Sequence, residues 1–191
     1  RINVTGLDAD GDTLLRVQDT GTTRFTLNKS GMIYGVTSFN GIPFYTEGTS
    51  MYTSNVSATD GASAATENTA YGSTAMDAIT TGDNNTAIGY AAAGLLSTGT
   101  ANTIIGSLAG DALTLGSYNV ALGYNALSTE DANGRNVAIG SSALTTLKAG
   151  QDAYNIAIGY NAGYAMTLGV QNVIIGGLAG DSLTTGGFNV A

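Results

Sequence analysis

Residues 85–90, Asn85-Thr86-Ala87-Ile88-Gly89-Tyr90, decide the fold, because the chain keeps returning to them. The string is NTAYGS at 68, NTIIGS at 102, NVALGY at 119, NVAIGS at 136, NIAIGY at 155 and NVIIGG at 172, with NVA at 189. Successive Asn positions differ by 17, 17, 17, 17, 19, 17 and 17 residues. A fixed period of this kind marks one structural unit stacked many times. The single longer step carries two extra residues near Asp152 and Ala153, as a loop insertion in one coil would.

Within the repeat, whole columns are invariant. The first position is Asn in Asn68, Asn85, Asn102, Asn119, Asn136, Asn155, Asn172 and Asn189. The fifth is Gly in Gly72, Gly89, Gly106, Gly123, Gly140, Gly159 and Gly176. The eighth is Ala in Ala75, Ala92, Ala109, Ala126, Ala143, Ala162 and Ala179. A second Gly recurs at the fifteenth position, except where Asn133 takes its place beside Gly134.

Each column has a physical meaning. The β-branched and small residues after the Asn form a short strand. Side chains alternate across a strand, so positions two and four face one way and position three the other. Both faces are apolar or small, which requires cover on both: one from the interior of the coil, the other from a partner. Gly after the strand permits positive φ at a corner. The invariant Ala marks a spot too crowded for anything larger. Asn tolerates left-handed backbone and bonds its own turn, and stacked copies make an amide ladder.

A helical reading fails, because Gly and Asn recur every few residues and leave no window for an amphipathic helix. Coils of 17 residues fit two short strands and two turns. At ~4.8 Å per coil, seven copies make a rod of roughly 34 Å. The expected fold is therefore all-β, a parallel β-solenoid over 68–191, preceded by a linker and first-coil cap over 51–67.

Composition agrees. The chain has 191 residues, 43% hydrophobic and 10% charged, with 28 Gly, one Pro and no Cys, His or Trp. The apolar fraction is too high for a disordered chain. A net charge of −8 argues against nucleic acid, since nothing neutralises a run of phosphates. No apolar run reaches the ~20 residues of a membrane helix, so membrane insertion is not expected. The sequence opens on Arg1 without Met or a signal peptide and stops at Ala191 inside an eighth copy, and it reads as an excerpt of a longer chain.

The N-[TV]-A-I-G-Y core, then Ala, then a Thr–Gly turn before the next Asn, resembles repeats of bacteriophage tail-fibre proteins. It is also similar to the head repeats of trimeric autotransporter adhesins (the YadA-like head), whose V-A-I-G strand sits in a shorter repeat. Asn85–Tyr90 and Asn155–Tyr160 carry the likeness best, and it covers residues 68–191. It implies a left-handed β-roll in each subunit and a homotrimer around a fibre axis. The membrane anchor, coiled-coil stalk and C-terminal chaperone of those families have no counterpart in this sequence.

Residues 1–50 read differently, as a β connector or neck. Leu14-Leu15-Arg16-Val17 and Thr23-Arg24-Phe25-Thr26-Leu27 alternate around a Gly-containing turn, and Met32-Ile33-Tyr34 follows a second turn. The pattern predicts a small β-meander. Segments of this type resemble connectors that join modules in phage fibres.

Catalytic machinery is not expected. Without His or Cys there is no usual triad and no imidazole or thiolate metal site. Glu130-Asp131, and Asp77, Asp111 and Asp181 in the tenth column, read as solvated turn acids. Asp8, Asp10, Asp12 and Asp19 have the spacing of calcium-loop positions 1, 3, 5 and 12, but Thr13 stands where that loop needs Gly, so a polar turn is the better reading. No cofactor is implied.

The sixth column runs Ser73, Tyr90, Ser107, Tyr124, Ser141, Tyr160, Gly177. Its tyrosines suit packing against a neighbouring subunit, with glycan stacking as the alternative. Thr pairs such as Thr80-Thr81 raise an ice-binding surface, but they fall out of register, and Asp131 and Lys148 interrupt the Thr-rich column.

The expected function is a rigid trimeric spacer in a tail fibre, located in the virion. It would meet other tail or fibre proteins on its N-terminal side and hold a tip towards a host glycan or receptor. The alternative is the head of a surface adhesin on a bacterial cell.

Overall fold

The computed structural model describes residues 65–130 and 132–191 in full, and before them the backbone of seven short strands. It falls into two units, 1–44 and 45–191.

In the first unit, β1 (Thr13–Asp19), β2 (Thr22–Asn28) and β3 (Ile33–Tyr34) form an antiparallel meander in that order. The β1–β2 register runs from Thr13 opposite Asn28 to Asp19 opposite Thr22, with two irregularities. β4 (Ser38–Phe39) and β5 (Ile42–Pro43) pair as a separate two-residue hairpin. Asp8, Asp10 and Asp12 of the calcium-like spacing lie outside the described residues, and Asp19 ends β1.

The second unit is the solenoid. β6 (Tyr45–Glu47) pairs antiparallel with β7 (Ser50–Tyr52). From β7 onward every pairing is parallel and sequential: β8 (Thr69–Tyr71), β9 (Thr86–Ile88), β10 (Thr103–Ile105), β11 (Val120–Leu122), β12 (Val137–Ile139), β13 (Ile156–Ile158) and β14 (Val173–Ile175). Equivalent repeat positions are opposite one another, as in Ile104 beside Ala87 and Ala121. The two-residue insertion leaves this register intact, since Ala138 faces Ala157. The ladder thus begins at β7, before the first repeat Asn.

The core is built from four inward columns. Position three of the repeat, the middle residue of each strand, is fully buried: Ala70, Ala87, Ile104, Ala121, Ala138, Ala157 and Ile174. Across from it sit the eighth-column alanines, buried from Ala75 to Ala162, with Ala179 partly buried. The interior is filled by Ile79, Leu96, Leu113, Leu147 and Met166, each at the same place in its coil. The ninth column adds Met76, Ala93, Leu127 and Leu144, and it is Gly110 or Gly180 where the strand carries Ile104 or Ile174, so a large residue in one of these two columns is matched by a small one in the other.

The structure departs from the two-strand coil the repeat length suggests. Each coil has one three-residue strand, and the opposite side runs through left-handed backbone instead. Beyond the corner Gly, that side has positive φ at two places per coil, for example Thr74 (φ 56) and Met76 (φ 49), or Asn125 (φ 59) and Leu127 (φ 54). Coil-to-coil hydrogen bonds persist there, with Met76 N donating to Ala92 O (3.0 Å) and Leu127 N to Ala143 O (2.9 Å). The carbonyl of the invariant Ala is the acceptor. The cost of left-handed backbone, about 1–3 kcal/mol per residue, is offset because each amide so aimed finds a partner in the next coil.

Candidate functional site

The asparagine column lies along one corner of the stack, and Asn68 to Asn172 are at most 1% exposed. Each Asn backbone N–H donates to the side-chain Oδ1 of the Asn one coil earlier, at 2.8–3.2 Å from Asn85 to Asn189. In most coils Nδ2 donates across its own coil to the fifteenth-position carbonyl, as in Asn85 to Gly99 O (2.9 Å) and Asn155 to Gly169 O (2.8 Å). Such an amide ties its own coil shut and its neighbour on. The left-handed conformation belongs to the residue before the Asn, for example Tyr118 (φ 61) and Arg135 (φ 64), and not to the Asn itself.

Gly in the fifth column has φ between 129 and 139 in all seven copies. A Cβ on Gly106 would lie 2.4 Å from the carbonyl oxygen of Gly123, and the same collision recurs from Gly72 to Gly159. Conformation and contact both exclude any side chain, which accounts for the invariance.

Opposite the core, the ladder turns positions two and four outward. Thr69, Thr86, Thr103, Val120, Val137, Ile156 and Val173 form one row, and Tyr71, Ile88, Ile105, Leu122, Ile139, Ile158 and Ile175 the other. All are half-buried or exposed, with Ile175 at 58%. Seven strands at ~4.8 Å and three residues at ~3.3 Å make a strip of roughly 300 Å² in projection, apolar in both rows from β11 to β14 and edged by Thr69, Thr86 and Thr103 in the earlier coils. That is already the size of the largest apolar patch on a typical monomer. The sixth-column tyrosines Tyr90, Tyr124 and Tyr160 extend it on one side and are 56–60% exposed.

The insertion in the fifth coil builds a polar cluster on the other side. Asp152 accepts from Arg135 Nε (2.8 Å) and Gly134 N (3.1 Å). The Arg135 guanidinium lies 4.8 Å from the Tyr118 ring centroid and 5.6 Å from that of Tyr154. The Asp152 hydrogen bond, with Tyr154 adding to it, holds the Arg135 pKa above its usual value.

The acids correct the sequence reading in part. Glu130 is fully buried, because it occupies the interior place that Leu96, Leu113 and Leu147 fill in other coils. Its carboxylate accepts from Asn133 Nδ2 (2.9 Å), Asn133 N (3.3 Å) and Ala149 N (3.3 Å), so it organises the irregular turn rather than meeting solvent. Asp131 lies outside the described residues. Asp111 also turns one oxygen inward, and burial raises its pKa against the opposing backbone hydrogen bonds. Asp77 and Asp181 are exposed, as expected of turn acids. Among the described residues no three acids gather into a metal-sized group, and no helix is long and apolar enough to cross a membrane.

These features define a class: an all-β chain whose repeat region is a parallel β-solenoid with a buried Asn ladder, a Gly corner and one uncovered apolar sheet face. Comparison with known protein families, curated proteins and solved structures finds no match.

Proposed function

We propose that the chain is a non-catalytic structural segment of an elongated fibre, a bacteriophage tail fibre, in which three copies pack side by side by their outward strand faces. The observation that carries this reading is the apolar strip itself. A double row that is Val, Ile or Leu throughout the last four coils, with Ile88 and Ile105 continuing it beside Thr86 and Thr103, is costly to leave in water, at about 25 cal/mol for each Å² of apolar surface. Only a straight surface parallel to the stack covers it, and another copy of the same rod supplies one. Coil-to-coil hydrogen bonding on both sides of the core supports a stiff spacer that resists proteolysis. The tail-fibre assignment within this class rests on the resemblance of the repeat. The head of a trimeric autotransporter-type adhesin is the second reading, favoured by the V-A-I-G strand.

Molecular mass in solution tests the self-association. The chain is expected at three times its 19.1 kDa. Ile139→Lys, in the middle of the outward face, is expected to shift it to the monomer while the β-rich circular dichroism is kept. A monomeric, stable parent chain would overturn the reading.

A further inference from the structure

Two rows border the apolar strip, one at each end of the strands. The residue before each Asn forms the first row and includes Tyr118, Arg135 and Tyr154 on consecutive coils. The residue after each corner Gly forms the second, with Tyr124, Ser141 and Tyr160 on the same three coils. The pairs Tyr118/Tyr154 and Tyr124/Tyr160 therefore bracket the same height. In the first row the bracketed place holds a cation between two rings. In the second it holds only Ser141, which leaves a slot two coils deep, roughly 9.6 Å between tyrosines. Both tyrosines of the slot are more than half exposed.

We infer that Arg135 of one copy enters the Tyr124/Ser141/Tyr160 slot of its neighbour, so that two tyrosines from each chain surround one guanidinium. This rests on the self-association proposed above and goes beyond it by fixing polarity and register. Any rotation about an axis parallel to the stack brings the start of one copy's strands against the end of the neighbour's, at equal height. The first row then meets the second, and Arg135 arrives level with Ser141. A two-fold axis across the stack would instead set a row against itself with heights reversed. Asp152 engages Nε alone, and the Arg135 side chain, lying over its own Tyr118 and Tyr154 rings, remains 42% exposed, so its outer nitrogens are open to further rings. The negative faces of tyrosine rings attract such a cation, and more so when the strip on either side excludes water. A partner of different period would not present two rings two coils apart at this level. A second copy does so by construction.

The chain has no cysteine, so engineered thiols report directly on the packing. Ala101 and Ser107 occupy the two rows two coils below Arg135 and Ser141, and both are small. Within one chain they stand at opposite ends of one strand, roughly 20 Å apart and beyond the ~7 Å that a disulfide spans between Cα atoms. Mild oxidation of Ala101→Cys/Ser107→Cys is expected to give chain-to-chain disulfides, while each single variant gives none. Single variants that cross-link to themselves, or an assembled double variant that does not cross-link, would overturn the arrangement. Arg135→Gln is expected to weaken association roughly tenfold with circular dichroism unchanged, and Arg135→Lys to keep most of it. Unaltered association in Arg135→Gln, with the mass still that of an assembly, would overturn the clasp alone. A monomeric parent chain would remove the self-association and the clasp together.

Discussion

Gly106→Ala is expected to open the stack at its third coil, with a loss on the order of 4 kcal/mol. Two costs combine. The residue sits at φ +139, a conformation that L side chains rarely adopt. The added Cβ would also lie 2.4 Å from Gly123 O and 2.6 Å from its carbonyl carbon, both backbone atoms of the next coil. Neither can move without parting β10 from β11. Because coils in a stack contact only their neighbours, the damage is local before it is global. Hydrogen exchange is the suitable readout: protection should fall first at Gly106, Gly123 and the amides between them. Gly177→Ala is the control, since nothing lies within 4 Å of its would-be Cβ. Equal protection in the two variants would contradict the assigned corner.

Asn102→Ala should cost about 3–4 kcal/mol, out of proportion to the few atoms removed. Asn102 N and Nδ2 both donate to Asn85 Oδ1 (3.0 Å each), Nδ2 donates to Gly116 O (2.9 Å), and Oδ1 accepts from Asn119 N (2.9 Å). Truncation leaves the Asn119 amide and the Gly116 carbonyl buried without these partners, and unsatisfied buried groups cost more than a made hydrogen bond contributes. Asn102→Asp keeps the acceptor for Asn119 but loses both side-chain donations and places a charge in a buried column, so it should fare no better. Urea unfolding at fixed protein concentration measures the loss, since any assembly makes stability depend on concentration. A change below about 1 kcal/mol would mean that the ladder is not buried as described.

The fold was legible because the strongest constraints fall on single residue types. A corner with no room for Cβ admits only Gly, and a coil-to-coil amide relay admits only Asn, so both appear as invariant columns. The alternation of the strand likewise separated positions two and four from position three, and the structure adds which of the two faces turns outward. The second side of the coil was hidden. Its left-handed positions accept Thr74, Met76, Leu127 and Leu144, residues that carry no turn signal. The hints were the Gly and Asn substitutes in those columns, Gly110, Gly163, Asn125 and Asn161, which appear in some coils and not others. Glu130 was misread for a related reason. Its neighbours in sequence are polar, and only the alignment with Leu113 and Leu147 shows that it stands at an interior position. Of the candidate site, the apolar face was visible in the strand pattern. The Arg135 cluster was not, since the insertion that brings Asp152 to Arg135 has no counterpart elsewhere in the repeat.

The central claim is that residues from 68 onward are wound as in-register coils of equal rise. Spin-label distances test it most directly, because an added thiol pair is the only one in a cysteine-free chain. Thr80, Thr167 and Thr184 occupy one exposed column, with Thr80 five coils from Thr167 and six from Thr184. Diluted with unlabelled chain, Thr80→Cys/Thr167→Cys should give a label separation near ~24 Å and Thr80→Cys/Thr184→Cys near ~29 Å, a step of one coil. Separations that do not rise by about 5 Å for the seventeen added residues would contradict the stacked solenoid.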